Sequence, residues 1–234
     1  LTPAERQSLY SILGVDTVAE IFTYLDDAEP YLKELPSHEA AKVISNMDSD
    51  DAVDALEDLD DTDKNEIVNK LDKDSVEDVK MLLSYGEDEI GSSMTTNYIC
   101  IRKDMTIRQA MSELVSQAAD NDNISTIFAV TDRGEFYGAL DLKDLITARQ
   151  DHPMEELIVT SYPYVYGTEQ IDDCMERLKD YSEDSIPVLD DDNRFLGVIT
   201  SAGIIDLVDD EMGEDYAKLA GLTAEEDLKL SLIH

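Results

Sequence analysis

ISTIFAVTDRGEFYGALDLKDLI, residues 124–146, and DSIPVLDDDNRFLGVITSAGIIDLV, residues 184–208, follow one plan. Each begins with a short apolar run, IFAV or IPVL, of the length and branching of a buried strand. Each then turns on a cluster of turn formers, DRG or DDDN. A second apolar run follows, GALD or GVIT, and then a helical close, KDLI or AGIIDLV. Phe136 matches Phe195, and Gly138 matches Gly197. A glycine near the start of a strand predicts a close approach by a neighbouring backbone. The segments in front match as well. MTIRQAMSELVSQ (105–117) and EQIDDCMERLKDY (169–181) both have helical spacing, with Ile107 opposite Ile171 and Met111 opposite Met175. The second half of the chain therefore reads as an internal duplication of helix, strand, turn, strand and helix.

The first ninety residues have a different period. Leu35, Met47, Leu59, Leu71 and Leu83 stand twelve apart, and a second apolar pair recurs at Val43/Ile44, Ala55/Leu56 and Ile67/Val68, weakening at Val79/Lys80. A fixed period is the mark of a repeat architecture. Twelve residues suffice for about two turns of helix and a corner. Residues 1–85 are expected to form a right-angled stack of short helices, with Ser37, Ser49 and Thr62 as N-caps.

MDSDDAVDALEDLDDTD (47–63), within that stack, holds nine carboxylates in seventeen residues and no Lys or Arg. Ala52, Val53, Leu56 and Leu59 supply an apolar stripe. Asp50, Asp54, Glu57, Asp58 and Asp61 fall three and four apart on another face, where like charges repel. Two readings are open: a solvated acidic face, or a wall of hard oxygen ligands for Mg²⁺ or Ca²⁺. It is not an EF-hand, because the DxDxDG loop is absent.

The whole chain shares this bias. Its 234 residues include 55 acids and 18 bases, for a formal net charge of -37. That balance argues against nucleic acid and anionic membrane surfaces as partners and favours cations. An acidic, salt-adapted scaffold has the same composition. Cys100 and Cys174 form no CxxC, which fits a reducing compartment. No signal peptide or apolar run of spanning length is visible, and the chain, opening on Leu1 and ending after LKLSLIH, reads as a soluble piece of something longer. There is no HExxH, GxSxG or Walker A stretch, and His38, His152 and His234 are isolated, so no catalytic residues are assigned.

The duplicated half resembles a tandem pair of CBS domains over roughly residues 94–208, carried by MTTNYICIRKDMTIRQAM, the paired hairpins, and the closing KDLI and AGIIDLV. That resemblance implies a regulatory module that dimerises and sometimes holds adenine nucleotide, such as ATP, between its copies. An acid at the start of the closing helix would bind the ribose. Asp144 matches that position, whereas the second copy has Gly203; Thr200 and Ser201 remain as contacts to phosphate or ribose, or as ordinary caps.

Taken in order, the acidic helical domain, YGEDEIGSSMT, the CBS pair and DLVDDEMGEDYAKLAG resemble the cytosolic part of the MgtE family of magnesium transporters. The expected fold is α+β: a helical acidic N domain (1–90), a first CBS domain (91–155), a second (156–208), and the start of a helix toward a membrane domain (209–234). The resemblance implies a homodimer on the cytoplasmic face of the membrane, joined to its own C-terminal transmembrane domain. Mg²⁺ would bridge N domain, CBS pair and connecting helix and favour the shut state. It assigns Asp50 and Asp54 in the N domain, and Asp206, Glu211, Glu214 and Asp215 beyond the CBS pair, as Mg²⁺ ligands, with Asp209 and Asp210 extending the patch. Lys42, Gly203, Gln170 and Ser182 stand where the family can carry acids, and Asp51, Asp172 and Glu183 are neighbours able to compensate. The rival reading is a nucleotide-sensing CBS module serving another transporter or enzyme.

Overall fold

Four helices begin at residues 37, 49, 61 and 73, twelve apart as the apolar period requires. The computed structural model describes residues 1–25, 27–57, 59–119, 121–179 and 183–208. The helices before the duplication are α1 (Pro3–Leu13), α2 (Val15–Phe22), α3 (Glu29–Leu32), α4 (Ser37–Ile44), α5 (Ser49–Glu57), α6 (Asp61–Val68) and α7 (Lys73–Leu82). The last four each make about two turns. Leu35, Met47, Leu59 and Leu71 sit in the corners, and the repeating pairs Val43/Ile44 and Ile67/Val68 are buried in the stack. Each helix packs on the next but one: α4 on α6, and α5 on α7.

The caps differ from expectation. Asp60, not Thr62, caps α6, its carboxylate accepting from the Thr62 and Asp63 amides. Ser37 is the first helical residue after Pro36, and its hydroxyl donates to Glu66 across the stack. Ser49 likewise opens α5 from inside the helix, and its hydroxyl is engaged elsewhere.

The duplicated half contains β1 (Ile99–Arg102), α8 (Ile107–Gln117), β2 (Thr126–Val130), β3 (Phe136–Asp141) and α9 (Leu142–Thr147). The second copy has β4 (Val165–Tyr166), α10 (Ile171–Lys179), β5 (Ser185–Leu189), β6 (Phe195–Thr200) and a helical segment, 201–208. Each copy is a three-stranded mixed sheet, with its first two strands parallel and the hairpin antiparallel. The match extends to irregularities: both hairpins shift register at equivalent places, Ala129/Val130 and Val188/Leu189. Both turns place a residue at positive φ, Gly134 at 80° and Asn193 at 60°; these are the two residue types that tolerate it most readily.

The copies exchange their entry segments. Thr95, which leads into the first sheet, pairs with Val198 of the second; Val159, which leads into the second, pairs with Ala139 of the first. These crossings account for the paired glycines. A Cβ at Gly138 would lie 2.5 Å from the Val159 carbonyl oxygen, and one at Gly197 would lie 2.7 Å from that of Thr95. Between the sheets Phe128 packs against Phe195 at 5.0 Å and Tyr162 at 6.1 Å, bonding the copies through one aromatic cluster.

The helical stack joins the second copy, not the first. One apolar core runs from Val18 and Phe22 through Leu56 and Leu82 to Ile90 and Met94, and on to Val165, Ile186 and Ile199. The first copy keeps its own core around Ile99, Ile127 and Leu145. Backbone bonds complete the joint: the Ile90 amide donates to Glu169, and that of Gly91 to Gly167. Among the described residues no helix is long and apolar enough to cross a membrane.

Candidate metal centre

The N-terminal end of α5 brings acids together faster than the fold can supply counter-charges. Ala52, Val53 and Leu56 bury one side of the helix, so Asp48, Asp50 and Asp51 are pressed toward the rest of the molecule. One carboxylate oxygen from each of these three lies within 4.8 Å of the others. Asp48 is exposed; Asp50 and Asp51 are half-buried. The Oδ1 of Asp50 is buried and has no hydrogen-bond partner. Leaving a carboxylate oxygen dry and unpaired is costly unless a cation or proton compensates.

The protonation behaviour is consistent with that strain. Desolvation pushes Asp50 above the usual carboxylate range, and the charge of Asp48 adds to it. Asp51 is pushed up to about 7, first by desolvation and then by the charges of Asp50, Asp48, Asp54 and Asp206. Four carboxylates act on one, and the last belongs to the helical segment that closes the second copy. This donor set fits a hard divalent cation: all oxygen, mutually repelling, and short enough of ligands that the ion would keep waters, as Mg²⁺ does.

The sequence-derived residues fall into three groups. Asp50 sits in the cluster, Asp54 is exposed one turn further along α5, and Asp206 is exposed across from Asp51. Glu211, Glu214 and Asp215, with Asp58, Ser182, Asp209 and Asp210, lie outside the described residues. Asp51 and Asp48 take larger parts than the sequence reading allotted them. The available signal was the run DSDD directly ahead of an apolar stripe, which forces neighbouring acids to straddle the edge of the buried face. In the CBS pair, Asp144 is exposed in the first turn of α9 and Ser201 is exposed at the start of 201–208. The Thr200 hydroxyl accepts from the Gly203 amide, the bond of an ordinary capping turn.

Family comparison accounts for the layout. Residues 1–88 match the MgtE intracellular N domain, and residues 88–151 and 154–210 match the CBS domain. The magnesium transporter MgtE of Enterococcus faecalis is 31% identical over 230 residues, which is 97% of this chain and 51% of that protein. The crystal structure of the soluble part of a magnesium transporter superposes with a TM-score of 0.84 at 30% identity, covering 90% of this chain and 84% of the other. The chain belongs to the MgtE family. It is an MgtE N domain followed by tandem CBS domains, homologous to the cytosolic region of MgtE magnesium transporters. The cytosolic domain of the Mg²⁺ channel MgtE in complex with ATP is a further structural relative, with a TM-score of 0.80 at 28% identity over 88% of this chain and 86% of the other. The chain spans about half the length of the E. faecalis MgtE, and that relative is a transporter rather than an enzyme.

One consequence of the acid cluster is measurable without metal. A group whose folded-state pKa is raised binds its proton more tightly when folded, so the fold is stabilised as pH falls and loses that stability as pH rises through the raised value. For Asp51 the window runs from the usual carboxylate range up to about 7. Thermal unfolding in Mg²⁺-free buffer should therefore give a lower Tm at pH 8 than at pH 6, and Asp51→Asn should flatten that difference. The acids held below their ordinary values, such as Asp60 by the Asp63 amide and Glu66 by Lys70, act at lower pH with the opposite sign.

Proposed function

We propose that this chain is the cytosolic Mg²⁺-sensing region of a magnesium transporter or channel. In this reading Mg²⁺ bridges Asp50, Asp51 and Asp54 of the N domain to Asp206 and to Glu211, Glu214 and Asp215 further along the chain. Bridging holds the N domain against the CBS pair and favours the shut state of a membrane domain that follows. The observation that carries this reading is the crowding of acids around Asp51, which burial first and then the charges of Asp50, Asp48, Asp54 and, from the end of the CBS pair, Asp206 push up to about 7. Each close pair of like charges at such a partly shielded interface costs up to about 4 kcal/mol, and a bridging divalent ion reverses the sign. The response is then set by the number of bridges, each weak alone.

The membrane domain, the homodimer and the cytoplasmic placement are parts of this reading. Exposed apolar side chains on the CBS pair, among them Val115, Ile146 and Ile205, supply surface for a second copy. A nucleotide in the CBS cleft, held by Asp144, Thr200 and Ser201, is the second reading, favoured by the relative whose structure contains ATP. Limited proteolysis separates the two. Protection of the joint between N domain and CBS pair by millimolar Mg²⁺ supports cation sensing. Protection by ATP in Mg²⁺-free buffer, with none from Mg²⁺, favours the nucleotide module.

A further inference from the structure

Two consecutive side chains at the start of α5, Asp48 and Ser49, bond two consecutive residues of the segment that enters the first sheet, in antiparallel order. Asp48 Oδ2 accepts from Asn97 Nδ2 at 3.0 Å. Ser49 Oγ accepts from the Thr96 amide at 2.9 Å. The Ser49–Thr96 rung reaches a third element, since Thr96 Oγ1 donates to Asp78 Oδ2 on α7 at 2.9 Å. The Thr96 hydroxyl has one proton, so at its 3.2 Å separation from Ser49 Oγ the serine is the donor. The chain Ser49 to Thr96 to Asp78 thus runs in one direction and ends on a carboxylate, the arrangement in which each bond strengthens the next.

Both ends of this strip are anchored. Thr95 exchanges two backbone bonds with Val198, at 2.8 and 3.0 Å. Asn97 Oδ1 accepts from the Asp122 and Asn123 amides, at 2.9 and 3.2 Å, in the loop after α8. The strip therefore touches both CBS domains while gripping the helix that carries the acid cluster. A cavity of about 300 Å³ opens beside Ser49, Asp78, Thr96 and Asn97, so on this side hydrogen bonds rather than packing register the strip.

We propose that Thr95–Asn97 is a cation-independent latch that holds the N-terminal end of α5 against the CBS pair and so sets the Mg²⁺ concentration at which the acidic surfaces close, with Thr96 as its positioning residue. Without the latch, repulsion at the acid cluster meets less opposition at this end of α5, and more Mg²⁺ is needed to overcome it.

Thr96→Val keeps the shape and the amide bond to Ser49 but removes the hydroxyl; Thr96→Ser keeps the hydroxyl. Ser49→Ala breaks the same chain from the other side. Small-angle scattering on the full chain, during a Mg²⁺ titration, reads the outcome. Thr96→Val and Ser49→Ala are expected to be more extended than wild type in Mg²⁺-free buffer. Each should need about three- to tenfold more Mg²⁺ for half-maximal compaction, with the compact end state unchanged. Thr96→Ser should match wild type. The Mg²⁺ arm rests on the cation reading above, whereas the Mg²⁺-free arm does not. A wild type that ignores Mg²⁺, with Thr96→Val still more extended, removes that reading and keeps the latch. Equal Mg²⁺-free dimensions and equal midpoints for wild type and Thr96→Val overturn the latch. So does a loss of Tm in Thr96→Val with both unchanged, which marks a merely structural hydroxyl.

Discussion

Neutralising Asp50 and Asp51 together, as Asp50→Asn with Asp51→Asn, is expected to raise the Mg²⁺ needed for compaction by at least about tenfold and to stabilise the Mg²⁺-free protein. The two effects have opposite signs and one origin. Asp50 has a buried oxygen without a partner, and Asp51 is pushed up to about 7 by burial first and then by the charges of four surrounding carboxylates. Removing both charges relieves repulsion worth about 1 kcal/mol or more, which should raise the Mg²⁺-free Tm by roughly 2–4 °C in a chain of this size. The same change removes the strongest oxygen donors from the cluster, so the ion loses its reason to bind there. Calorimetric melting with and without Mg²⁺ reads both. Asp16→Asn with Glu20→Gln, on the exposed side of α2, removes equal charge and should change neither quantity by a comparable amount. If that control shifts the Mg²⁺ midpoint as far as the cluster variant does, net charge rather than the cluster governs the response.

Valine at Gly138 or Gly197 is expected to cost about 3 kcal/mol or more in stability, measured by denaturant unfolding. The obstacle in each case is backbone, not a side chain that can swing away: Val159 oxygen at 2.5 Å and Thr95 oxygen at 2.7 Å from the new Cβ. The two variants should then diverge. Gly138 faces the segment that enters the second sheet, so its replacement disturbs the contact between the CBS copies. Gly197 faces Thr95, the anchored end of the strip that holds α5, so Gly197→Val should also loosen the N domain. Faster proteolytic release of the N domain in Gly197→Val than in Gly138→Val, at matched loss of stability, checks that difference.

The strongest patterns were readable in the sequence because they are local and repeated. A twelve-residue apolar period can be satisfied only by short helices with regular corners, and α4 to α7 follow it residue for residue. The duplication was visible because equivalent positions face the same demands, as at Phe136 and Phe195 or Gly138 and Gly197. What each glycine faces was not visible, since the exchange of entry segments between the copies is a long-range arrangement. The N-caps failed for a different reason. Asp60 and Thr62 are both good caps two residues apart, and composition alone does not rank them. At the site, Asp50 and Asp54 stood out at helical spacing. Asp51 did not, because its raised proton affinity comes mainly from burial in the folded chain, with Asp206, distant in sequence, adding the last of the charges on it. The merging of the N domain's core with the second CBS domain rather than the first belongs to the same class. It is decided by where Ile90 and Met94 pack, which neighbouring residues do not reveal.

The central claim is that Mg²⁺ turns mutual repulsion between the N domain and the end of the CBS pair into attraction. Small-angle scattering of the chain, titrated from Mg²⁺-free buffer into the millimolar range at constant ionic strength, tests it most directly. The account predicts a saturable fall in radius of gyration that Asp50→Asn with Asp51→Asn displaces to higher Mg²⁺. A radius of gyration that stays constant across the titration would contradict it.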